Sequence, residues 1–175
     1  MSYPSPEPRI AALFALALFA AALPALAAAP AAPAAPPDSP APPPSARPAW
    51  PHARLDVHTA GGIRSFAVDV ADTPDREELG LMHVRMLPAG LGMLFPVQPV
   101  RGMQMWMKNT YIPLDMLFID EKNRVACVRE RTTPLSLAIV DCPHPSSAVL
   151  EIAGGEARRL GIRPGDKVDY PVDRP

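Results

Sequence analysis

Between Pro30 and Pro51, 10 of 22 residues are proline, interleaved with Ala and Ser. Proline fixes φ and lacks a backbone N–H, so such a stretch supplies neither a helix interior nor a central strand. It tends toward extended polyproline geometry and is expected to act as a semi-rigid spacer. Any packed fold is thereby confined to the flanks. The expected organisation is a leader over residues 1–27, a disordered Pro/Ala-rich linker over 28–51 and a single β-rich domain over 52–175. With roughly 120 residues, that domain can bury about two-thirds of its unfolded surface and hold a core without help from a metal or disulfide.

The leader has a recognisable form. Arg9 precedes an apolar run from Ile10 to Leu23, followed by Pro24 and Ala25-Leu26-Ala27-Ala28. A short apolar run, a helix breaker and small residues at an A-x-A site read as a signal peptide cut after Ala27. A membrane anchor needs about 20 apolar residues, a length reached here only by counting Pro24 and several alanines. No Cys near the cleavage point offers a lipid attachment. The expected location is periplasmic or secreted, with membrane contact only through the signal peptide before cleavage. The net charge is −1 and the Arg residues form no stripe, so no nucleic-acid partner is expected.

Within the domain, Leu55, Val57 and Thr59 alternate with polar residues, Gly61-Gly62 turns the chain, and Phe66, Val68 and Val70 alternate again. This is a hairpin pattern. Thr73-Pro74 predicts a helix N-terminus, with Asp75, Glu77 and Glu78 at its positive end and a stop near His83. Further strands are expected over 92–95, 102–107, 116–120, 125–129, 148–152 and 168–170, with a short helix over 155–160 closed by Gly161. Many short strands with one or two short helices argue for a mainly β fold, a β-sandwich or partly closed barrel.

Cys127 and Cys142 are the two cysteines of the chain. In an oxidising compartment they are expected to form a structural disulfide, closing a loop of about 15 residues worth about 3 kcal/mol in the chain-entropy picture. Cys-x-x-Cys spacing, the mark of a redox-active pair, is absent.

The segment Gly102-Met103-Gln104-Met105-Trp106-Met107-Lys108-Asn109-Thr110 carries the candidate chemistry. As a strand it would present Met103, Met105 and Met107 on one face and Gln104, Trp106 and Lys108 on the other. An aromatic ring between two polar heads is an unusual core pattern, and Asn109 and Asp115 are positioned to converge on it. The expected ligand-binding set is therefore Gln104, Trp106, Lys108, Asn109 and Asp115, suited to stacking and hydrogen bonding with a glycan or other small polar ligand. A structural arrangement, with Lys108 and Asp115 as an ion pair under the ring, accounts for the same residues. A second reading is a Cu(I) site of clustered thioethers, since seven of eight methionines lie between Met82 and Met116. A third is a small hydrolase using Lys108 and Asp115. No catalytic motif, cofactor fingerprint or paired His spacing is present, so no catalytic residue, cofactor or classical metal site is expected. Asp120 and Glu151 fall where turn and strand-end residues face solvent.

Gly80-Leu81-Met82, Gly92-Met93-Leu94-Phe95, Trp106-Met107-Lys108-Asn109-Thr110, Ile112-Pro113-Leu114-Asp115, and Gly161-Ile162 with Gly165-Asp166 together resemble the prokaryotic domain of unknown function 192, over about residues 66–170. The resemblance implies a compact jelly-roll-like β-sandwich and no established activity, substrate or cofactor. Met82, Met93, Trp106, Lys108, Asn109, Thr110 and Asp115 match its motifs, whereas Met103, Met105, Cys127 and Cys142 depart from them. The function expected overall is that of an exported, non-enzymatic binding or accessory module.

Overall fold

The structure is a computed structural model that describes residues 50–170. The expected signal peptide, most of the linker and the last five residues lie outside the described residues. The elements run β1 (His52–Thr59), β2 (Gly62–Val70), α1 (Pro74–Leu79), β3 (Leu91–Arg101), β4 (Gln104–Met105), β5 (Leu114–Ile119), β6 (Val125–Arg129), β7 (Val140–Asp141), β8 (Ser146–Ala153), α2 (Glu156–Leu160) and β9 (Lys167–Asp169). Seven strands form one sheet in the order β6-β5-β8-β3-β2-β1-β9, and β4 pairs separately with β7. Within that sheet β2 and β3 are parallel and the other pairs are antiparallel.

The sheet curls on itself. Its edge strand β9 pairs with β1, while Lys167 also bridges Arg124 just before β6, at the opposite edge. The Val125 amide donates to the Asp166 carbonyl and the Val168 amide to that of Asn123. The result is the mainly β, partly closed barrel that the strand pattern predicts. Period-two alternation then sorts the side chains into two cores. Leu55, Val57, Phe66, Val68, Leu94, Leu117, Leu150 and Ile152 fill the inside, with Ala157 of α2 among them. Met93, Phe95, Leu114, Met116, Phe118 and Val149 form a second apolar surface on the outer face. Segments between the strands, carrying Leu81, Met107 and Cys142, bury that surface, and Trp50 joins it.

Most local signals act as expected. Thr73 caps α1 by accepting from the Arg76 amide, with Pro74 leading the helix. Cys127 and Cys142 are disulfide-bonded with Cα atoms 6.0 Å apart, joining β6 to the end of β7. Three expectations are corrected. Helix α1 ends at Leu79, because Gly80 turns out of the helix while its amide still donates to the Arg76 carbonyl. Strand β3 continues to Arg101, well past Phe95. Residues 102–107 hold a strand of only two residues, Gln104–Met105, because the Met107 amide donates instead to the Ser136 carbonyl and the chain turns.

One carboxylate ties several of these parts together. Asp115 is fully buried on β5, where Oδ1 accepts from the Arg131 amide at 2.7 Å and from Gly155 at 2.8 Å. Its Oδ2 accepts from the Ala157 amide at 2.8 Å. Gly155 is the N-cap of α2 and has no side chain to offer the orphan amides of the first turn. Asp115 fills that role from another element, and its charge suits the positive helix end. Asp115→Ala should therefore lower stability by at least about 3 kcal/mol, since it strands several buried donors. Asp115→Asn should fall between that variant and the wild type, with urea unfolding midpoints giving the ranking.

Candidate functional site

A hollow opens on the outer face. A cavity of 430 Å³ is lined by the turn after α1 (Gly80, Leu81 and Met82), by Met103 to Trp106, and by Lys108, Thr110 and Glu151. Its walls come from α1, the turn that follows it and the segment around β4, and its floor from the sheet. The wall at Lys108 is shaped by a turn. The Thr110 amide donates to the Met107 carbonyl, and Asn109 adopts the left-handed conformation with φ 54°. Asn enters that region more readily than most residues because its short polar side chain bonds locally. Here its Nδ2 reaches the Met82 sulfur at 3.8 Å, and its carbonyl accepts from the His83 amide at 2.8 Å. Asn109 thus ties the two walls together.

The expected ligand-binding residues separate into two groups. Gln104, Trp106 and Lys108 all line the cavity. Trp106 is 46% exposed, and the Lys108 ammonium sits 5.2 Å from its ring centroid, within cation–π range. Asn109 does not line the cavity; it sits in the turn between Lys108 and Thr110, which do. Asp115 stands apart, buried on β5 with both oxygens engaged by backbone amides, so the expected meeting of Asp115 with Lys108 does not occur. That disposes of the structural ion pair and removes the partner the hydrolase reading required. The methionines also divide differently from strand alternation. Met103 and Met105 line the cavity together with Gln104 and Trp106, whereas Met107 is fully buried and its sulfur accepts from the Thr132 hydroxyl at 3.1 Å.

Glu151 is the residue that sequence reasoning missed. Asp120 behaves as expected, its Oδ1 accepting turn amides from Lys122 and Arg124. Glu151 instead lies inside β8, paired with Met93 of β3 on one side and Met116 of β5 on the other. Both methionines are fully buried, and Glu151 itself is 4% exposed. Among the described residues no hydrogen-bond or ion-pair partner compensates its carboxyl group. Burial alone pushes its pKa from 4.5 up to about 8. Near neutral pH the group keeps its proton, so it offers an O–H donor and a carbonyl acceptor at the cavity floor. A signal was available in the sequence. Glu151 is the one ionisable residue between Ser146 and Ala153, and Val149, on its own face, is apolar.

The raised pKa carries a sign for stability. At low pH both folded and unfolded chains hold this proton. As the pH climbs from 4.5 toward 8, the unfolded state loses it and the folded state keeps it, so stability falls by up to about 1.4 kcal/mol per pH unit. Glu151→Gln removes this contribution. Compared by urea unfolding at several pH values, the variant should gain stability over the wild type progressively up to about pH 8 and no further. Parallel curves would show that the carboxyl group is not held protonated.

Comparison with known proteins follows the same boundaries. A family model described as Uncharacterized ACR (DUF192) matches residues 56–170. A solved structure from Sinorhizobium meliloti, provisionally labelled a transcription regulator, is 38% identical, with a TM-score of 0.68, and the match covers 71% of this chain and 97% of that one. A protein of unknown function from Novosphingobium aromaticivorans is 36% identical, with a TM-score of 0.66 and coverage of 67% and 84%. No curated protein matches the chain.

Proposed function

We propose that this chain, which belongs to the DUF192 family, is an exported, non-enzymatic binding or accessory module whose cavity takes a polar ligand of the cell envelope, such as a glycan. One observation carries the reading: a half-exposed indole and a buried, unpartnered carboxyl group share a cavity of 430 Å³. The volume falls in the range of small-ligand sites. An aromatic face suits the C–H face of a sugar, and the protonated Glu151, Gln104, Lys108 and Thr110 supply donors and acceptors for its hydroxyl groups. Two segments that carry the family resemblance, Gly80 to Met82 and Trp106 to Thr110, meet at this cavity, which further supports a binding role.

Export is supported by the Cys127–Cys142 disulfide, since such bonds persist in oxidising compartments. No helix among the described residues is long and apolar enough to cross a membrane. The net charge of −1 gives no electrostatic support for nucleic acid as a partner.

Isothermal titration with a panel of neutral and N-acetylated oligosaccharides tests the reading. At least one should bind saturably, and Trp106→Ala should weaken that binding at least tenfold. The same variant should cost less than about 1 kcal/mol in urea unfolding, as expected for a ring so exposed. An inert panel, or a Trp106→Ala variant that binds as the wild type does, would overturn the proposal.

A further inference from the structure

The cavity contains a class of donor that hydrogen bonding to a sugar does not use. Met82 enters from the turn after α1, Met103 from just before β4 and Met105 from within it, and all three line the same hollow. Thioether sulfur is a soft ligand that prefers Cu(I) and ions like it to harder divalent metals. Competing soft donors are few. Both cysteines are consumed by the disulfide, leaving no free thiol, and no histidine is among the lining residues. Among the described residues, no three His, Cys, Asp or Glu side chains gather into a site for harder ions.

We infer that Met82, Met103 and Met105 form a binding site for one soft monovalent cation, Cu(I) or Ag(I), on the wall of this cavity. The charges around the hollow favour a cation: Glu77 and Glu78 line it against Lys108 as the one cationic lining residue, while the protonated Glu151 adds no charge. The thioether set differs from the one that strand alternation suggests: Met107 is fully buried and outside the lining, whereas Met82 lines the hollow and would exchange the contact its sulfur makes with the Asn109 side chain for the ion. The site goes beyond the polar-ligand reading, sharing the cavity but not the groups that would bind a sugar.

The test is titration of the purified chain with Ag(I) in chloride-free buffer, followed through the methionine methyl signals by NMR. Ag(I) avoids any change of oxidation state. The methyl signals of Met82, Met103 and Met105 should move and saturate at one ion per chain. The signal of Met86, which is highly exposed and lies outside the cavity lining, should not. The double variant Met103→Leu, Met105→Leu should bind Ag(I) roughly a hundredfold more weakly while its far-UV circular dichroism is unchanged. Shifts shared equally by Met86, the absence of a saturable shift, or wild-type affinity in the double variant would overturn the inference. None of these results bears on oligosaccharide binding, which is read separately through Trp106.

Discussion

The three backbone donors held by Asp115 are the contact on which the rest of the domain leans. A carboxylate with no exposure is tolerable in a protein interior only when it is fully engaged, and Asp115 meets that condition with Arg131, Gly155 and Ala157. The first of these fixes the chain leaving β6, and the other two fix the start of α2. One step along, the Thr132 amide bonds to the Leu114 carbonyl, and the Thr132 hydroxyl reaches the Met107 sulfur. The segment carrying Trp106 and Lys108 is therefore braced from behind by the surroundings of Asp115. What the sequence suggests as a ligand contact is instead a support several residues removed from the cavity.

The strands and the disulfide were legible because they rest on local rules. Hairpin alternation, the Thr73-Pro74 start and the cysteine pair each need only neighbouring residues or loop length to be read. The stretch from Met103 to Lys108 misled because its alternation is real, while its backbone partners lie far away. The Met107 amide is taken by Ser136, not by a ladder partner, and the strand ends. Glu151 was misread for a related reason. Alternation separates two faces of a strand but does not say whether either meets water, and here loops cover the outer face. The candidate site was thus legible in its residues at Gln104, Trp106 and Lys108, and illegible in its floor.

This division explains the character of the cavity. Its floor is set by sheet register, which holds Glu151 between Met93 and Met116. Its walls are set by α1 and by turns, the turns cross-linked through Asn109 and through the Leu135 amide, which donates to the Thr110 carbonyl. Groups on such a floor are positioned by the whole sheet, whereas groups on the walls can differ from one relative to another without disturbing it. Met103 and Met105, on a wall, can therefore be exchanged without disturbing the floor.

The sheet order also has a consequence in time. β1 is the first strand of the described domain, and its outer neighbour β9 is the last, pairing Asp56 with Asp169. Loop closure over such a separation is entropically unfavourable and slow. As the chain is synthesised, the β1 edge stays open until the final strand has emerged, and an open edge is a template for pairing with other chains. Whatever shields the nascent polypeptide must therefore do so for almost its entire length, and a truncation of only the last few residues of the barrel would leave that edge permanently unpaired.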